Sequence, residues 1–183
     1  MPLTQRPPLT FEYFPARPSF DLVSDDIEDG VEMNRDQVAN VMGYDGGNLS
    51  PHLRWSGCPE NTRSFAITIH DPDAPTGSGF WHWSVCNVPA SCRELPSGAG
   101  NAEALELPPG AVTLRNDAGT YGYVGAAPPV GDGPHRYVVT VHALDVDTLD
   151  IDETASPAVL GFMTHFHAVA RAQIVPQFTP SES

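Results

Sequence analysis

The chain has 183 residues, 40% of them hydrophobic, enough for one globular domain with a sizeable core. Its nine basic residues are all arginine and stand against 23 Asp and Glu, a formal net charge of −14. That balance argues against nucleic acid and anionic lipid as partners, and the lack of lysine rules out Schiff-base chemistry and a P-loop lysine.

Residues 1–18 read as a proline-rich arm, broken at Pro2, Pro7, Pro8, Pro15 and Pro18, with Phe11, Tyr13 and Phe14 able to pack it on the body. No basic segment followed by an apolar run opens the chain, and no stretch approaches the roughly 18 apolar residues of a membrane span, so a cytoplasmic protein is expected. Residues 19–178 read as a single domain and 179–183 as a tail. The body is punctuated as a β protein. Residues 64–70 alternate and are rich in β-branched and aromatic side chains, and 81–88, 112–115 and 137–144 repeat that character. Gly/Pro-rich turns at 76–79, 107–110 and 128–133 separate them. One segment has another period: Val159, Phe162, Met163, Phe166, Val169, Ala170 and Ile174 recur at three and four residues, as in an amphipathic helix. Ser156 suits its N-cap, Pro157 its first position, and Pro176 its end. His165 and His167 face different ways on it and read as structural. Cys58, Cys86 and Cys92 form no disulfide framework, and Cys86, inside an apolar run, reads as a core thiol.

Three segments carry the chemistry. Asp71-Pro72-Asp73-Ala74-Pro75 follows the 64–70 strand, and histidines in aromatic settings answer it at Phe80-Trp81-His82-Trp83 and Gly133-Pro134-His135-Arg136-Tyr137. Buried carboxylates need partners, and histidine changes charge near neutral pH, so the three together suggest a small polar ligand pocket with aromatic walls. In an extended chain Asp71 and Asp73 share a face and point into one cavity; the alternative is that one or both accept turn hydrogen bonds. His82, facing away from its flanking tryptophans, reads either as a core histidine or as a site residue. His135 follows glycines whose N–H groups suit an anion, and Tyr137 on the same face offers a hydroxyl. Hydrolase, metalloprotease and dinucleotide signatures are absent, and neither metal nor cofactor is expected.

These blocks, with Asn48-Leu49-Ser50-Pro51, Leu53-Arg54-Trp55-Ser56-Gly57, Asn87-Val88-Pro89, Asn116-Asp117 and Gly122-Tyr123, resemble the phosphatidylethanolamine-binding protein (PEBP) family. The match lies in its bacterial and archaeal Raf-kinase-inhibitor-like branch and covers roughly residues 19–175. The resemblance implies a mainly β fold: a Greek-key β-sandwich with a large central antiparallel sheet, a smaller second sheet and a C-terminal helix. It implies a pocket for small anions such as phosphate, acetate or a phosphoethanolamine-like head group. Asp71, Asp73, His82, His135 and Tyr137 would line that pocket, Gly125 would contribute backbone, and Pro75 and Trp83 would shape its rim. It also implies a cis Ala74–Pro75 bond. Ala127 departs from the eukaryotic members, which carry glycine there, and Phe166 or Phe178 stands where some members bring a tyrosine. The carboxylates would repel a bare phosphate, so binding calls for a protonated histidine, a shared proton or a zwitterion. The reading is a non-catalytic ligand-binding or regulatory protein with no nucleic-acid partner, no stable membrane insertion and a homodimer as one assembly. Two alternatives stay open: an enzyme using Asp71, Asp73, His82 and His135 for acid–base or cyclisation chemistry, and a kinase or protease modulator.

Overall fold

A computed structural model describes residues 5–103 and 105–180; Pro2 of the arm and residues 181–183 of the tail lie outside them. In chain order the elements are β1 (Asp21–Val23), β2 (Leu53–Ser56), β3 (Ser64–Asp71), β4 (Phe80–Pro89), β5 (Glu94–Leu95), β6 (Val112–Thr113), β7 (His135–Arg136), β8 (Val138–Leu144), α1 (Pro157–His167), β9 (Ala168–Ile174) and β10 (Gln177–Phe178). An antiparallel five-stranded sheet, ordered β6-β4-β3-β8-β9, forms the centre, with a three-stranded sheet, β1-β2-β5, and a β10-β7 ribbon beside it.

All eight residues of β3 are buried because both faces of the large sheet are covered. Phe65, Ile67 and Ile69 of β3 join Trp83, Val139, Val141 and, from the smaller sheet, Leu53, Trp55 and Leu95 in the main core. On the other face Ala66, Cys86 and Leu144 pack with Leu160 of α1 in a second cluster. Burial there pushes the Cys86 thiol up to about 12, which makes it an inert packing group. The arm lies on the body as well. Arg6 donates to the Pro134 carbonyl at 2.6 Å, Arg136 to the Pro7 carbonyl at 2.6 Å, and Thr10 hydrogen-bonds His70 at 2.6 Å.

Two local expectations fail. The helix starts as read, with Pro157 in its first turn and the Ser156 side chain accepting the Val159 N–H, but ends at His167 instead of continuing to residue 174. From Ala168 the chain forms β9 along the edge of β8, where Ala168, Ala170, Ala172 and Ile174 alternate inward. The open edge of β8 supplies a full ladder of backbone hydrogen bonds, which outweighs the helical spacing of Val169, Ala170 and Ile174. The aromatic stripe of α1 is also not its buried face: Phe162 and Phe166 are 63% and 61% exposed, and Leu160 and Thr164 face inward. The second failure is the cis bond. Among the described residues no peptide is cis. Chain reversal is spread over residues 72–79, where Gly77 and Gly79 take positive φ and the Thr76 N–H bonds the Ala74 carbonyl at 2.8 Å, so the turn closes with a trans Ala74–Pro75 bond.

Candidate functional site

β3 delivers Asp71 at its last position, opposite Phe80 at the start of β4, and His82 follows two residues along that strand. His135 arrives on β7, opposite Phe178 of β10. These ends meet at a cavity of about 230 Å³ whose polar walls are Asp71, Thr76, His82 and His135, with Pro75, Phe80, Val124, Pro128 and Pro129 among the apolar ones.

The two imidazoles sit in opposite electrostatic settings. His135 Nδ1 lies 2.7 Å from Asp71 Oδ2, and Nε2 is 3.6 Å from Asp132 Oδ2. Burial alone would lower its proton affinity; the Asp71 hydrogen bond and charge, helped by Asp73 and Asp132, more than offset this, and the pKa is raised. His82 Nδ1 lies 2.8 Å from the Val124 carbonyl, which can only accept, so Nδ1 carries the proton and Nε2 the lone pair of the neutral ring. Burial lowers the His82 pKa, and the nearby Asp71 charge only partly opposes it. Asp71 Oδ1 meanwhile accepts the Asp73 N–H at 2.8 Å, so this carboxylate makes both a turn and a wall of the cavity.

Asp71, Pro75, His82, Gly125 and His135 therefore line the cavity, as does Ala127; Asp73, Trp83 and Tyr137 do not. The chain turns after Asp71, which ends the alternation that would have aimed both carboxylates inward. Asp73 instead grips Arg136: its oxygens accept the Arg136 N–H and Nε–H at 2.9 and 2.8 Å and a terminal N–H at 2.7 Å. Burial opposes ionisation of Asp73, but these bonds and the Arg136 charge win and hold it below the usual carboxylate value. Trp83 is a core residue and not a rim residue, because it faces away from His82 and packs so tightly on Gly100 that a Cβ there would collide with the indole. Tyr137 is 1% exposed behind the cavity, with its ring edge-on to His82 at 5.1 Å and its buried hydroxyl without a hydrogen-bond partner among the described residues. Gly125 gives its N–H to Asn48 Oδ1 at 2.8 Å, so that donor is already engaged; a Cβ there would strike the backbone of Val38 and Ala39. Phe166 lies outside the cavity, and no residue of α1 lines it.

Sequence reading missed the 38–48 segment. It is drawn in by a Val38–Ala126 bridge and by the Asn48 N–H on the Val38 carbonyl at 2.8 Å, and it sets Val41 and Met42 on the cavity wall. Asn48, in a left-handed conformation that asparagine tolerates, was visible in its block without any assigned role. Among the described residues no group of three or more His, Cys, Asp and Glu could hold a metal ion, and no helix is long and apolar enough to cross a membrane.

The five-stranded antiparallel sheet backed by a smaller one, with an Asp/His cavity at the strand ends, belongs to a chain that matches the phosphatidylethanolamine-binding protein family. The chain belongs to that family: the model described as phosphatidylethanolamine-binding protein matches residues 23–179. It is similar to the UPF0098 protein YbhB of Escherichia coli K12, 51% identical over 158 residues, which are 86% of this chain and 99% of YbhB. It is also 45% identical to E. coli YbcL over 171 residues, 93% of each protein. The crystal structure of YbcL superposes with a TM-score of 0.86, covering 89% of this chain and 99% of that one.

Proposed function

We propose that the protein is a non-catalytic binder of a small oxyacid head group, of the phosphate, acetate or phosphoethanolamine kind, held in the Asp71–His82–His135 cavity. The observation that carries this reading is the unlike pair of histidines. His135 is paired to Asp71, so the carboxylate's repulsion of an incoming anion is largely neutralised. His82 is neutral, and with Nδ1 committed to Val124 its Nε2 is the nitrogen left for a ligand. A lone pair repels a bare anion, so the ligand must bring a proton, held on itself or passed to His82. The apolar walls suit a short carbon chain beyond the head group, and about 230 Å³ is too little for a whole phospholipid.

Calorimetric titration with phosphate, acetate and phosphoethanolamine at about pH 5 and about pH 8, in buffers of differing ionisation enthalpy, tests this. Binding should tighten as pH falls and be accompanied by proton uptake. Equal or tighter binding at the higher pH would overturn the reading.

A further inference from the structure

The face of the large sheet that meets the arm holds a histidine the cavity does not use. His142 of β8 is 2% exposed, and among the described residues neither of its ring nitrogens has a hydrogen-bond partner. Buried polar atoms are almost always paired, so a whole imidazole left unpaired calls for an explanation. The register places Arg171 of β9 directly across from it. Phe11 of the arm meets the His142 ring edge-on at 4.9 Å, and the Arg171 guanidinium lies over the same phenyl ring, 4.7 Å from its centroid. Arg171 Nε is likewise without a partner. Arg17 lines the same place and gives one N–H to the His165 carbonyl at 2.8 Å.

The charges here are mismatched. Among the described residues neither Arg17 nor Arg171 forms an ion pair, in a chain with 23 acidic residues and nine arginines. Burial and then the nearby Arg17 charge push Arg171 below its ordinary value. Burial and then Arg171 push His142 down to about 3, so its ring is neutral and keeps one N–H to give. The space has two parts with shared walls. An inner nook of about 20 Å³ touches His142, Arg17, Arg171 and Thr164, and an outer cleft of about 260 Å³ is walled by Phe11, Phe14, Pro15 and the two arginines. The nook has room for about one water-sized group, such as a single carboxylate oxygen, and not for a phosphate. Glu12 on the outer wall further disfavours a dianion.

We propose that this cleft is a second ligand site, for a small monocarboxylate carrying an aromatic or apolar body. The carboxylate bridges Arg17 and Arg171 with one oxygen reaching the His142 N–H, and the body rests on Phe11, Phe14 and Pro15. The contacts are charge-assisted donors in a partly desolvated place, the setting in which a carboxylate binds best.

The test is an NMR titration of the full chain with benzoate, following the Arg171 Nε–H and His142 ring signals. Both should shift saturably. Arg171→Gln should weaken the affinity by about tenfold or more, the loss of one charge-assisted hydrogen bond. His142→Leu, which removes the unpaired atoms and keeps a buried side chain of similar size, should stay folded and also weaken binding. His82→Gln, in the other cavity, should leave the affinity read at Arg171 unchanged. Unmoved signals, equal affinity in Arg171→Gln and His142→Leu, or equally tight binding of inorganic phosphate at these residues would overturn the proposal.

Discussion

The cavity beside Asp71 and the cleft beside His142 treat their charged groups in opposite ways. In the cavity the polar groups are met before any ligand arrives, Asp71 by His135 and the His82 N–H by a carbonyl, and behind it Asp73 is met by Arg136. In the cleft two arginines that form no ion pair among the described residues lie beside an imidazole without a hydrogen-bond partner, with Glu12 on the outer wall. The difference teaches what each place can accept. On the proposed readings, a ligand entering the cavity would meet the lone pair of His82 Nε2 and would bring a proton to it, whereas a ligand entering the cleft would be held by its negative charge on two arginines that have no ion pair among the described residues.

The largest effect should come from breaking a matched charge and comparing it with an unmatched one. Arg136→Ala leaves Asp73 buried without its cation and should cost about 3 kcal/mol in urea unfolding, toward the lower end for a buried pair because the Arg136 side chain keeps 18% exposure. Arg171→Gln breaks no ion pair and should cost less than about 1 kcal/mol. Similar losses for the two variants would erase the distinction between the regions.

A smaller effect should follow from Asp71→Asn. The pKa of His135 is raised in the folded state, so the Asp71 interaction stabilises the fold fully below the unfolded histidine value of about 6.5. That contribution is lost as pH rises through the raised folded value. Wild type should therefore exceed Asp71→Asn by about 1.5 to 3 kcal/mol at about pH 5, with the gap closing as pH rises. Chemical unfolding of both proteins across that range checks the sign; a gap that widens with pH would mean that His135 is held neutral.

The central strands were legible because Ser64–Asp71, Phe80–Pro89 and Val138–Leu144 carry β-branched and aromatic side chains in alternation. β9 was not. Its inward positions include Ala168, Ala170 and Ala172, which favour helices when read locally, and the strand exists because β8 offers an edge. At the site, Asp71, His82 and His135 could be read because the chemistry was concentrated in short blocks. Asp73 was misread because alternation stops where a turn begins. Trp83 came into the site through the family resemblance, and Tyr137 through that resemblance and its place two residues after His135, although the alternation that turned Trp83 away from His82 already pointed to the core. Val41 and Met42 left no signal, since only long-range backbone bonds bring their irregular segment to the cavity.

The central claim is that the two histidines of the cavity differ, His135 holding its proton more tightly than an ordinary imidazole and His82 less tightly, and a pH titration of the two side chains by nitrogen-15 NMR in the ligand-free protein tests it most directly. His135 should lose its ring charge at a higher pH than an ordinary histidine and His82 at a lower one, and the neutral His82 ring should be protonated on Nδ1 with an unprotonated Nε2. A His82 that titrates above His135, or a neutral His82 protonated on Nε2 alone, would contradict it.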